Sequence, residues 1–298
     1  MQPRFLEDHE QWFPCGTGRM RFIHLPARQP AAPARPALML VHGLMGYSFS
    51  WRHNLEFFSR DRDVYAVDLL GIGQSDRPSP AEADYGIPAA AARVLALVRS
   101  LGHPQVDLVG TSHGGAVVMM AAALDRRSPD PIVRSIALID PAHPFMRSAR
   151  FRLWFYRTRF GASMLRGIIF RSGVLRRFSV GAMYAHPSHV TAATRAGYDV
   201  NLTDPTSCDY ALAVVQSWRP DMEALRAALP SIRQIPTLLL WGARDRVVAA
   251  SSAPLLQACF ANSRLVLLPD CGHMPYEELP AEFNRELSAF LDSESPAP

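Results

Sequence analysis

The stretch Val106-Asp107-Leu108-Val109-Gly110-Thr111-Ser112-His113-Gly114-Gly115-Ala116-Val117-Val118-Met119-Met120-Ala121-Ala122-Ala123-Leu124 changes character at its middle. Val106–Gly110 is a short apolar run of the kind that forms a strand covered on both faces. From Gly114 the small residues and Met read as a helix. Ser112 sits at the join, inside Gly110-Thr111-Ser112-His113-Gly114. A serine at a tight strand-to-helix turn stands above the sheet edge, where a substrate reaches it. Small residues are needed two before and two after, because the backbone passes close to its neighbours. The helix start supplies free N–H groups and a dipole that favour an oxyanion. Alone, Gly-x-Ser-x-Gly occurs by chance in about one chain in ten of this length, at roughly 7% Gly and Ser. Its place between strand and helix gives it weight.

Outward from this turn the same rhythm repeats. Apolar runs at Met20–Leu25, Leu38–Val41, Asp63–Leu69, Ser135–Asp140, Thr237–Trp241 and Arg264–Leu268 read as further strands. Ser50–Phe58, Ile87–Leu101 and Gly114–Leu124 read as crossover helices. Strand and helix in alternation predict an α/β fold with a doubly wound, mostly parallel sheet. About 90 residues after Asp140 break the rhythm, with no clear strand and many Arg, Phe, Trp and Tyr. The expected organisation is a core of residues 1–143 and 231–298, with a helical cap inserted over 144–230.

Length and composition agree with one large domain carrying an insertion: 298 residues, 48% of them hydrophobic, are enough for a sizeable core. Met1–Glu10 has no apolar signal-peptide centre. The longest apolar run, Ala116–Leu124, is far short of the roughly 20 residues that span a bilayer. A soluble, cytoplasmic protein is expected. Cys15, Cys208, Cys259 and Cys271 are scattered without metal-like pairing and read as free thiols. All 31 basic residues are arginine, and Pro144–Pro230 holds 12 of them against 5 acids. A basic insertion favours anionic substrates or an anionic lipid surface, although arginines also solvate a helical surface while their stems cover apolar area. Neutralising Arg150, Arg152, Arg157 and Arg159 would test membrane-surface contact. No zinc finger, RNP motif or other module points to nucleic acid.

Five motifs carry a family resemblance. They are His42-Gly43-Leu44-Met45-Gly46, the serine turn, Asp68-Leu69-Leu70-Gly71-Ile72-Gly73-Gln74-Ser75-Asp76, Trp241-Gly242-Ala243-Arg244-Asp245, and Gly272-His273-Met274-Pro275 with Glu277. In this order and context they resemble the α/β-hydrolase superfamily, near its capped esterase, meta-cleavage-product hydrolase and haloperoxidase-like branch. The resemblance runs from about Pro36 to Leu291 and is weakest in the cap. It implies Ser112 as nucleophile, His273 as general base and Asp245 as the acid, in the chain order expected of this fold. The chemistry needs all three. A serine hydroxyl is a poor nucleophile at pH 7 without a base, an imidazole carries the proton, and a carboxylate fixes its tautomer. Asp140 is a rival acid, since it also ends a sheet strand and some α/β-hydrolases place the acid there.

For the oxyanion hole the expected donors are the backbone N–H groups of Leu44 and His113. Serine at the nucleophile position points to acyl chemistry, because the dehalogenases and epoxide hydrolases of this fold use aspartate. The expected reaction is hydrolysis of carboxylic esters or related acyl compounds through an acyl-enzyme. Carbon–carbon cleavage of a vinylogous diketone, or a silent binding protein of the same fold, are the alternatives. Met45, His143, Trp154, Phe155 and Tyr184 are candidates for contact with a small apolar acyl substrate. Ten histidines without metal-ligand spacing, His186 and His189 included, give no metal site, and no cofactor is expected.

Overall fold

The computed structural model describes residues 8–30, 34–146 and 180–293. Eight strands form one sheet: β1 (Glu10–Pro14), β2 (Arg19–Leu25), β3 (Ala37–Val41), β4 (Val64–Val67), β5 (Val106–Thr111), β6 (Val133–Ile139), β7 (Thr237–Gly242) and β8 (Ser263–Leu268). Their order across the sheet is β1-β2-β4-β3-β5-β6-β7-β8. β1 and β2 are antiparallel, as are β2 and β4, and every later pairing is parallel. The chain therefore winds outward from the β3–β5 region in both directions.

Helices cover both faces. They are α1 (Ile87–Ser100), α2 (His113–Asp125), α3 (Ala192–Leu202), α4 (Pro205–Ala228) and α5 (Pro280–Ser293). Successive residues of a strand point to opposite faces, and β3 shows how the core divides. Met39 and Val41 pack with Ile87, Val94 and Leu97 of α1 and with α2, while Leu38 and Leu40 pack with Phe283, Leu287 and Phe290 of α5. With both faces covered, a continuous apolar run is what the central strands require. α2 is buried along its length apart from Leu124.

Two features differ from the sequence reading. β1 is an additional edge strand. It pairs on one side only and is largely exposed, so Glu10-Gln11-Trp12-Phe13-Pro14 carries no strong apolar signal. The segment read as one helix over Ser50–Phe58 is broken into a 3₁₀ turn at Ser48–Trp51 and a single α-turn at Leu55–Phe58. Between them buried Asn54 turns its Nδ2 to the carbonyl of Tyr276 (3.2 Å) and to Asn284 (2.9 Å).

The described residues between β6 and β7 hold helices and no strand. α4 of this insertion reaches back to the body, where Asp221 accepts the first N–H of α1, that of Ile87 (2.9 Å). Among the described residues no helix is long and apolar enough to cross a membrane.

Candidate active site

The C-terminal ends of β5, β6 and β7 and the loop after β8 converge at one sheet edge. Ser112 is the residue between β5 and α2, with φ 51° and ψ −120°. That backbone region is costly for a residue with a Cβ, by about 1–3 kcal/mol, and is held only where the surroundings over-determine it. Here they do. A Cβ on Gly110 would lie 2.3 Å from the carbonyl oxygen of Gly114, and one on Gly114 would lie 2.3 Å from that of His42. The turn is also pinned from β6, since Ser112 N–H donates to Ile139 (2.9 Å) and Ala142 N–H donates to the Ser112 carbonyl (2.8 Å).

His273 and Asp245 are paired. The imidazole Nδ1–H donates to Asp245 Oδ2 at 2.7 Å, and both side chains are buried. Asp245 Oδ1 accepts from the N–H groups of Val247 (2.6 Å) and Val248 (3.1 Å), so the carboxylate is fixed at both oxygens. Nε2 is then the ring nitrogen that remains for a serine. Among the described residues the Ser112 hydroxyl makes no hydrogen bond, to His273 or elsewhere; such contacts tighten when substrate is bound.

Asp140 stands beside this pair. One oxygen of each carboxyl group and a nitrogen of His273 lie within 4.8 Å of one another. Asp140 is fully buried and left-handed (φ 43°), and its Oδ1 accepts from Gly242 N–H at 2.9 Å. Among the described residues its Oδ2 meets no donor. Burial, and then the charge of Asp245, push its pKa well above the ordinary 3.8. A protonated Asp140 satisfies both facts, because Oδ2–H can donate to Asp245. The two acids that compete in sequence are thus neighbours in space, and only Asp245 reaches the histidine.

The His42–Gly46 loop lies over the nucleophile: a Cβ on Gly43 would be 3.8 Å from Ser112 Oγ. Gly46 N–H closes a turn on the Gly43 carbonyl (2.9 Å), with Met45 left-handed at φ 63°. His42 accepts the Leu69 N–H on Nε2 (3.0 Å), so Nδ1 carries its hydrogen and donates to the Gly43 carbonyl (2.8 Å). Burial holds this imidazole neutral by lowering its pKa. Among the described residues neither Leu44 N–H nor His113 N–H meets an acceptor. His113 is the first residue of α2, where helix geometry leaves the N–H without an intrahelical partner. Its ring is buried, both nitrogens are without a partner among the described residues, and burial lowers its pKa to about 3.

The candidate substrate contacts fare differently. Met45 is half-buried at the turn. His143 is fully buried, edge-on to Trp241, with Phe145 N–H on Nδ1 (3.3 Å) and Ser252 Oγ on Nε2 (3.0 Å). Burial lowers its pKa to about 4, so the ring is neutral. Tyr184 is buried with its hydroxyl on Glu277 Oε2 (2.6 Å). Trp154 and Phe155, like Arg150, Arg152, Arg157 and Arg159, lie outside the described residues.

The sequence reading passed over what ties the insertion to the histidine loop. Arg52 forms a two-pronged pair with Glu277 (2.8 and 2.9 Å), and Tyr198 of α3 also donates to that carboxylate. Glu278 accepts from the N–H groups of Ala185 (3.0 Å), His186 (2.9 Å) and Gly272 (2.7 Å). His273 N–H donates to Met183 (2.6 Å). The one available signal was two adjacent acids, Glu277 and Glu278, shortly after His273; nothing near Arg52 marks it.

Residues 36–280 match the family model described as alpha/beta hydrolase fold. The chain is 26% identical to epoxide hydrolase 4 of Mus musculus over 292 residues, covering 93% of this chain and 77% of that protein. It is 26% identical to 2-hydroxymuconate semialdehyde hydrolase of Pseudomonas sp. over 261 residues, covering 85% and 86%. Among solved structures it resembles a thermophilic esterase from Thermogutta terrifontis, with a TM-score of 0.75, 21% identity, and coverage of 96% and 99%. A family model spanning most of the chain and a sheet of the matching order place this protein in the α/β-hydrolase fold family.

Proposed function

We propose that the chain is a serine hydrolase acting on carboxylic esters or related compounds with an apolar acyl group. The observation that carries this is a left-handed Ser112 at the start of α2, on the same sheet edge as a preformed His273–Asp245 pair. Ser112 Oγ attacks the acyl carbon as His273 Nε2 takes its proton. The carbonyl oxygen gains the negative charge, and the N–H groups of Leu44 and His113 receive it. Collapse expels the alcohol, which takes the proton from His273, and leaves an acyl-serine. Water then enters, gives a proton to His273 and a hydroxyl to the acyl carbon, and releases the acid with Ser112 restored. Asp245 keeps Nδ1–H in place and offsets the imidazolium charge.

The test is turnover of p-nitrophenyl esters from acetate to long acyl chains, wild type beside Ser112→Ala. Turnover by wild type, lost by about 10⁶ in the variant, supports the reading. The preferred chain length reports the room for the acyl group. Failure of wild type on every ester would move carbon–carbon hydrolysis ahead, and with it a silent binding role.

A further inference from the structure

Asn201 lies on α3, in the insertion, well beyond the three sequence motifs that precede it, and is fully buried. An amide with no exposure must spend its donors and acceptor inside the protein. Asn201 Nδ2 donates to the carbonyls of Met45 (3.2 Å) and Gly46 (3.4 Å). Its Oδ1 accepts from Gly73 N–H (3.1 Å) and lies 3.5 Å from an Arg77 nitrogen. One side chain thus joins the loop over the nucleophile to the Asp68–Asp76 turn.

The loop needs such a hold. Met45 carries a Cβ in the left-handed region, a conformation that persists only under restraint. The Gly43 carbonyl is already fixed by His42 and by Gly46 N–H. The carbonyls at the far end of the turn are fixed by Asn201. An oxyanion donor is effective when it is held in place before the charge develops, so that nothing reorganises during reaction. A loop free at its far end would let Leu44 N–H drift.

We infer that Asn201 is a positioning residue: it holds the Gly43–Gly46 turn so that Leu44 N–H stands ready for the oxyanion. This rests on the serine-hydrolase reading above. This helix of the insertion then completes the catalytic apparatus. Asn201 touches no reacting atom, so its loss should lower kcat and leave ground-state binding nearly unchanged.

The variants are Asn201→Asp, which keeps the shape and loses both donors, and Asn201→Leu, which loses every bond. Thr194→Val is the control. It removes the bond that Thr194 Oγ1 accepts from Arg52 (3.1 Å), together with the one it shares with Thr191 Oγ1 (3.0 Å), without touching the turn. Each is assayed for kcat and KM on the ester that wild type prefers, and for inhibition by phenylboronic acid. The boronate forms a tetrahedral adduct on serine with an oxygen in the oxyanion position. The expected result is a fall in kcat of about 10- to 100-fold, a fraction of the 10²–10³ for outright loss of a donor. The boronate inhibition constant should rise by a similar factor, with KM within threefold of wild type. Thr194→Val should stay within twofold in all three. The inference is overturned if both Asn201 variants keep kcat and boronate affinity within threefold. It is equally overturned if Thr194→Val loses as much as they do, or if neither Asn201 variant folds, since the residue would then serve stability alone. If wild type binds boronate no better than Ser112→Ala, the serine-hydrolase reading fails instead, and the two failures are told apart by that comparison.

Discussion

Replacing Asp140 by asparagine should stabilise the protein at neutral pH while leaving the His273–Asp245 pair intact. The carboxyl is fully buried, with Oδ1 on Gly242 N–H and Oδ2 facing no donor unless it carries a proton. Its pKa lies well above 3.8 through burial and the neighbouring Asp245. The unfolded chain ionises the same group near pH 3.9. Above that value the folded protein binds one proton more than the unfolded chain, until pH reaches the folded pKa. This group's contribution is therefore complete below the unfolded pKa and declines as pH rises toward the folded one. The slope is about 1.4 kcal/mol per pH unit. Between pH 5 and pH 7 the loss amounts to at most about 3 kcal/mol. Asparagine has the same shape and no such slope: Oδ1 accepts from Gly242 N–H and Nδ2 donates to Asp245. Urea unfolding of both proteins at pH 5, 6 and 7 measures the difference. The advantage of the variant should widen with pH toward that bound. Parallel curves across the range would refute the reasoning, because Asp140 would then be ionised in the fold.

Asp245→Asn should cost about 10⁴ in kcat by presenting the wrong tautomer partner to His273 Nδ1, with Asp140→Asn far milder in the same ester assay; the reverse order would reassign the acid. Arg52→Met leaves Glu277 buried without its cation, and should lower unfolding stability by about 3–5 kcal/mol. Denaturant titration reads this directly, and a change below about 1 kcal/mol would mean that Tyr184 and Tyr198 suffice to hold the carboxylate.

The β5–Ser112–α2 unit was legible because three local signals coincide: an apolar run, a change of period, and glycines where neighbours leave no room for a Cβ. The central strands were legible for a related reason, since burial on both faces leaves an uninterrupted apolar run in sequence. β1 was not, because a one-sided exposed edge strand needs little apolar surface. Asp140 and Asp245 stood out as rivals at two strand ends, yet nothing local says that they share one pocket. That fact follows from the parallel pairing of β6 with β7. Asn201, Arg52 and Glu278 were illegible for the same cause. Their partners in other elements are 92 to 225 residues away along the chain, and their residue types are ordinary for helix or loop surfaces.

The contact between α3 and the body bears on how such proteins can be recombined. A Cβ on Gly197 would lie 2.2 Å from the Phe49 ring, and that ring also carries the Arg52 guanidinium at 4.0 Å. The helix and the segment beneath it are cut to one another's shape. A graft that brings α3 from another protein would have to bring the matching Tyr47–Arg52 segment with it, along with the Glu277 loop that Arg52 and Tyr198 share. The practical unit of exchange is this three-part joint, and a chimaera boundary drawn at the ends of the insertion would cut through it.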